Sequence, residues 1–295
     1  MAIVVGFISE KGGVGKTTAC YHVAVALSRY ENKKVLVIDA DYQRGGITGR
    51  FFPELIENFG NSTPKGITLF NKYQQLYSAT EQTSDIDVIS HKSLKIDLIQ
   101  SDSRLSTVTT DKLPSSNNIR TNNVRLLDHM RTIKTIIEPL YDEYDYVLID
   151  SHPEVSDVMR SIIYASDYCV SPVKLDRQSS IGVATVIGEI KNVNDDISMI
   201  RNALRIEDDY NDTIFAGAIG MMAREYGSGL KESEYLEYAR LRKAGSIFEN
   251  YVTEGDGLRV AAAERMPVYN IKIANAYKQA DQFMALTKEF LGVCK

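Results

Sequence analysis

Nine consecutive residues, Glu10-Lys11-Gly12-Gly13-Val14-Gly15-Lys16-Thr17-Thr18, restrict the fold of this chain more than any other stretch. They follow an apolar run, Ile3–Ile8. They precede a segment in which Cys20, Val23, Ala24 and Leu27 recur at helical spacing. A strand, a glycine-rich turn and a helix in that order aim backbone N–H groups and the positive end of the helix at one point, where phosphate oxygens can be held. The glycines allow the backbone to curl that tightly. In such a loop Lys16 reaches β- and γ-phosphates, and the Thr17 hydroxyl ligates Mg²⁺.

The rest of the chain agrees with that start. Val35–Ile38, Tyr146–Ile149, Tyr168–Val173 and Ile214–Ile219 are short apolar runs without polar alternation, as in parallel strands buried on both faces, and Ile96–Ile99 reads as another strand. Strands alternating with helices predict right-handed βαβ units and a doubly wound, mostly parallel α/β sheet with helices on both faces. The 295 residues suffice for one large domain or two small ones. No stretch reads as an interdomain linker, so a single domain over residues 1–295 is expected. Asp111–Asn123, polar and containing Pro114, reads as an exposed loop.

A formal charge of −5 argues against wholesale nucleic-acid binding, so any DNA contact needs a local basic patch. The three cysteines, Cys20, Cys169 and Cys294, are too far apart in sequence for a Cys-x-x-Cys metal or redox pair. No apolar run is long enough to span a bilayer, and the first residues lack the features of a signal peptide. A cytoplasmic protein is expected.

Two further segments place acids at strand ends, the edge where open α/β sheets bind ligands. Val35-Leu36-Val37-Ile38 runs into Asp39-Ala40-Asp41, with Gln43 beyond, and Tyr146-Val147-Leu148-Ile149 ends in Asp150. The second is the Walker B pattern, in which Asp150 holds Mg²⁺ through water.

The segment Lys11-Gly12-Gly13-Val14-Gly15-Lys16-Thr17-Thr18 resembles the deviant Walker A motif of the ParA/MinD ATPases, P-loop proteins in which the additional lysine, here Lys11, reaches the nucleotide of a second subunit. The resemblance implies two ATP molecules sandwiched in a homodimer. Asp41 would position or deprotonate the attacking water, with Asp39 supporting the Mg²⁺ shell. The loop residues Lys11 to Thr18 would bind nucleotide. Ile214–Met222 resembles the late strand ending near adenine, which makes Met221 a candidate contact. Ala261–Val268 resembles a segment ending in Gly-x-Pro-Val, with Arg265 in place of the glycine. Tyr42 and His152 also replace prolines of the family pattern, and His152 reads as a solvated loop histidine. The chain begins directly at its first strand, as in short plasmid-type ParA proteins.

The resemblance implies a partition ATPase that binds DNA non-specifically, associates with the nucleoid, and is stimulated by a ParB-like or other cargo-bound adaptor. Candidate phosphate contacts are Arg240, Arg242, Lys243, Arg259, Arg265, Lys272 and Lys278, though ordinary solvated charges explain them equally well. The alternative is a MinD-like membrane-cycling ATPase. Its terminal helix would carry Phe283, Leu286, Phe290 and Leu291, but a core helix explains that spacing better and stable membrane insertion is not expected. Unpaired cysteines speak against a metal-cluster relative, and the full set of acids and lysines speaks against a non-enzymatic scaffold.

Overall fold

The computed structural model describes residues 1–78, 85–206, 210–227 and 229–295. In chain order its elements are β1 (Ile3–Phe7), α1 (Lys16–Arg29), β2 (Val35–Ala40), α2 (Ile47–Phe51), α3 (Leu69–Tyr77), β3 (Ile89–His91), β4 (Ile96–Ile99), α4 (Ile119–Ile137) and β5 (Tyr146–Ser151). They continue as α5 (Asp157–Ala165), β6 (Tyr168–Val173), α6 (Arg177–Leu204), β7 (Ile214–Gly220), β8 (Glu225–Tyr226), β9 (Gly229–Leu230), α7 (Glu232–Lys243), α8 (Asp256–Ala263) and α9 (Ala274–Val293). Each apolar run read from the sequence forms a strand.

Among the described residues the main sheet has the order β3-β4-β2-β5-β1-β6-β7, parallel except for the antiparallel edge strand β3. The alternation inside each strand divides its side chains between two cores. Val35 and Val37 of β2 pack with α1 and α9, while Leu36 and Ile38 pack on the opposite face with α4, α5 and α6. In β5, Leu148 and Val147 divide in the same way. Both faces are covered, which is why these strands carry no polar alternation. β1 lies between β5 and β6, with β2 beyond β5 and β7 beyond β6. The chain therefore winds outward from β1 in both directions and leaves a crevice at the carboxyl ends of β1 and β5.

Two elements differ from expectation. Asp111–Asn123 is not all loop, because α4 begins at Ile119, where the Asn118 side chain accepts a hydrogen bond from the Arg120 N–H at 2.9 Å. The first turn of α4 buries no apolar side chain, since Ile119 is exposed and polar residues follow it, so its helical character rests on that cap rather than on apolar periodicity. The apolar face predicted for α1 is buried, but so is most of the opposite face, from Tyr21 to Leu27, because α9 covers it. Phe283, Leu286 and Phe290 of α9 are fully buried, with the Phe290 ring 6.2 Å from that of Phe7. Among the described residues no helix is long and apolar enough to cross a membrane. All three cysteines are free and buried.

Candidate functional site

The loop between β1 and α1 turns at Gly15, whose φ of 91° lies in the left-handed region that favours glycine. A Cβ added there would come within 3.3 Å of Met221, so the turn is also tightly packed from beneath. Lys11, Gly12 and Gly13 are exposed at the tip. A cavity of about 260 Å³ is lined by residues 11–18 together with Asp41, Gln43, Arg44, Gly45, Gly46 and Pro153. The Lys11 ammonium donates to Gln178 Oε1 at 3.0 Å, on the first turn of α6.

Beneath the loop lies a charged cluster. Lys16, only 5% exposed, pairs with Asp150 at 2.7 Å and also donates to the Ser151 carbonyl. Asp150 is fully buried, and among the described residues its second oxygen, Oδ2, accepts no hydrogen bond. Burial raises the Asp150 carboxyl above the ordinary carboxylate range, and the neighbouring Lys16 opposes that rise. Asp39 stands opposite Asp150 in the β2–β5 register and is also fully buried. Its carboxyl is pushed upward by burial first and by the nearby Asp150 second. Two carboxylates this close and this dry resist carrying both charges without a cation.

The two acids of the β2 end have separate partners. Asp39 accepts from the Asp41 N–H at 3.1 Å and from the Thr48 N–H at 2.8 Å, so both of its oxygens brace the turn into α2. It does not line the cavity. Asp41 does, and its Oδ1 accepts from the Gln43 N–H at 2.9 Å and from His152 Nδ1 at 2.8 Å. His152 is therefore not a solvated loop residue. It is 7% exposed and stacks on Tyr42 with ring centroids 3.7 Å apart. The histidine-for-proline change in the sequence was the only signal that could have marked it.

Met221 is not in the cavity. Its side chain is fully buried against Gly15, and Met222 instead lines a neighbouring cavity with Lys174, Leu175, Asp176, Arg224, Glu234 and Glu254. The strand end does come to the loop, but Met221, the residue after Gly220, packs inward under Gly15. The late basic residues are scattered. Arg240 pairs with Glu237 at 3.1 Å and Arg259 with Asp256 at 3.3 Å, while Arg242 meets Glu249 and Lys278 meets Glu225. Exposed pairs of this kind are worth little and can be exchanged for phosphate. Among the described residues Lys243, Arg265 and Lys272 form no ion pair. Arg265 has a φ of 52°, the left-handed conformation that explains a glycine at this point of the family pattern.

His22 was not singled out by sequence, yet it ties the phosphate-loop helix to the late segment. Its Nε2 accepts from the Val268 N–H at 3.1 Å, so Nδ1 carries the proton and donates to the Thr18 carbonyl at 2.8 Å.

The donor set suits a hard divalent cation bound jointly with phosphates. Among the described residues no cluster of three or more His, Cys, Asp or Glu side chains forms a protein-only metal cage. The unpartnered Oδ2 of buried Asp150, with Thr17 beside that carboxylate, matches the preference of Mg²⁺ for one or two protein oxygens plus water and phosphate.

Comparison with known proteins agrees with the geometry. The family model described as an AAA domain matches residues 2–206. Soj, the sporulation initiation inhibitor protein of Bacillus subtilis, is 26% identical over 211 residues, covering 69% of this chain and 72% of Soj. The ParA family protein of Mycoplasma pneumoniae is 22% identical over 295 residues, 99% of this chain and 98% of that protein. Among solved structures, the ATP complex of Cyanothece McdA has a TM-score of 0.73 at 19% identity, covering 100% of this chain and 98% of McdA, a likeness of fold. The chain spans 64% of the length of the first curated relatives it matches.

Proposed function

This chain belongs to the AAA domain family, which spans residues 2–206, and its relatives include ParA family proteins; from that premise we propose that it is a Mg²⁺-dependent, ParA-like positioning ATPase, a single catalytic domain over residues 1–295. The observation that carries this reading is the buried Lys16–Asp150 pair under a glycine-curled loop, with one Asp150 oxygen unpartnered and a second lysine, Lys11, exposed at the tip.

The backbone N–H groups of residues 12–18 and the amino end of α1 would hold the β- and γ-phosphates, with Lys16 turning from Asp150 to a phosphate oxygen. Thr17 and Asp150 would hold Mg²⁺, with Asp39 fixing the turn behind them; the ion would neutralise charge on the phosphate oxygens. Asp41, at the cavity wall, would orient a water in line with the γ-phosphorus and accept its proton as the bond to ADP breaks. Lys11 would stabilise the transferred phosphoryl charge on the nucleotide of a second copy, so that ATP favours a homodimer.

The dimer would bind DNA non-specifically through late basic residues, place the protein on the nucleoid in the cytoplasm, and release when a cargo-bound, ParB-like adaptor stimulates hydrolysis. Plasmid or chromosome segregation is one such task. The covered apolar face of α9 favours this over membrane cycling, which needs that face free.

The test is co-sedimentation with non-specific duplex DNA in ATP, ADP or no nucleotide, with anionic liposomes in parallel. ATP-dependent DNA binding that falls steeply with salt is expected. ATP-dependent liposome binding without DNA binding would replace the partition reading with a membrane-cycling one.

A further inference from the structure

The two positions at which proline is replaced by an aromatic ring, Tyr42 and His152, lie 110 positions apart in the chain, yet their rings meet face to face. The Tyr42 ring covers the imidazole at 3.7 Å and 26°, and the Tyr42 hydroxyl donates to Glu154 Oε2 at 2.9 Å. His152 Nε2 lies 3.5 Å from that same glutamate oxygen. The imidazole is thus held by Tyr42 on its face and by Asp41 at Nδ1, while Glu154 holds the Tyr42 hydroxyl. The Ser151 hydroxyl adds a bond to the His152 carbonyl at 3.0 Å, which fixes the backbone at the end of β5.

Both donors to the Asp41 side chain, His152 Nδ1 and the Gln43 N–H, fall on Oδ1. Among the described residues Oδ2 accepts no hydrogen bond. The Ser101 hydroxyl holds the Asp41 carbonyl as well, so backbone and carboxylate are both anchored. A carboxylate pinned at one oxygen presents the other in a single direction, whereas a free Asp side chain samples several rotamers. His152 itself does not line the cavity; it acts through Asp41.

We propose that Tyr42, His152 and Glu154 form a clamp that positions Asp41, with His152 Nδ1–H fixing Oδ1 so that Oδ2 is the oxygen that receives the water proton. This rests on the ATPase reading and on Asp41 as the water-orienting group. His152 is a positioning residue: it neither touches the phosphates nor takes the proton from water.

The test uses the full chain and basal ATP turnover, with ATP binding followed separately by a fluorescent analogue. H152F keeps a ring to stack on Tyr42 but removes the N–H. It should lower kcat about 10- to 100-fold, as sub-ångström misplacement of a reacting group does, and leave KM for ATP within about twofold. H152N supplies an N–H close to the Nδ1 position and should recover most of that loss. A merely structural role predicts no such rescue and a parallel change in KM. D41A separates the two levels of the argument. If D41A abolishes turnover and H152F does not lower kcat, the clamp is overturned and Asp41 stands. If D41A turns over normally, the assignment of Asp41 fails and the clamp fails with it. Wild-type protein that hydrolyses no ATP overturns both. If H152F does not fold, Y42L tests the same clamp from its exposed side, and an unchanged kcat there overturns it.

Discussion

Acidification should destabilise this protein through His22, and the size of the effect follows from its surroundings. The ring is fully buried, stacked on Phe283 at 4.5 Å, and its Nε2 faces the Val268 N–H. Protonation there would set one donor against another and bury an uncompensated charge, so burial pulls the His22 pKa from 6.5 down to about 3. The folded state therefore binds this proton less readily than the unfolded chain does. The stabilisation is complete above about pH 6.5 and is lost as pH falls toward 3, by about 1.4 kcal/mol per pH unit. Between pH 7.5 and 5.0 the loss from this one group is about 2 kcal/mol.

Urea denaturation of wild type and H22Q at both pH values isolates the term, because other titrating groups, including buried His129, are common to both proteins. H22Q should start lower at pH 7.5, having lost the bond to Thr18, but its decline on acidification should be smaller by about 2 kcal/mol. Equal declines would refute the reasoning, as would an NMR titration in which the His22 ring protonates near pH 6.5. Since His22 bonds the Thr18 carbonyl, the same acidification should weaken nucleotide binding.

Three further outcomes are expected. K16A should abolish ATP binding and also destabilise the fold by about 3–5 kcal/mol, because Asp150 keeps a buried carboxylate without its cation; K16M/D150N, which removes both charges, should regain most of that stability in thermal melts while still failing to bind ATP. K11A should bind ATP but show no ATP-dependent dimer by light scattering, since Lys11 is exposed at the loop tip and bonds only Gln178 among the described residues; an unaltered dimer would remove the cross-subunit role. R265G should keep or gain stability, by up to about 1 kcal/mol, because a left-handed side-chain residue costs roughly 1–2 kcal/mol and glycine recovers that at some cost in chain entropy; a loss above 1 kcal/mol in urea melts would show that the Arg265 side chain makes a contribution of its own.

The parts of this protein legible in its sequence are those specified by neighbours along the chain. A glycine-rich turn between an apolar run and a helix needs only local residues, and so do strands buried on both faces, which is why the β1–α1 loop, the parallel sheet and the acids at the ends of β2 and β5 could be read directly. Short or polar elements carry a weaker local signal. β3 is three residues long at an edge, and the first turn of α4 depends on the single cap of Asn118. Side-chain roles were decided by distant partners. Asp39 and Asp41 are two residues apart, yet one accepts from the Thr48 N–H of α2 and the other meets His152 at the cavity wall. Met221 directly follows the strand that approaches the loop, but it is buried under Gly15. His22, Tyr42 and His152 looked like isolated residues because the groups that give them a task, Val268, Glu154 and Asp41, lie 246, 112 and 111 positions away. Local pattern reports which face of a strand or helix is buried; only the folded chain determines which atom waits on the other side.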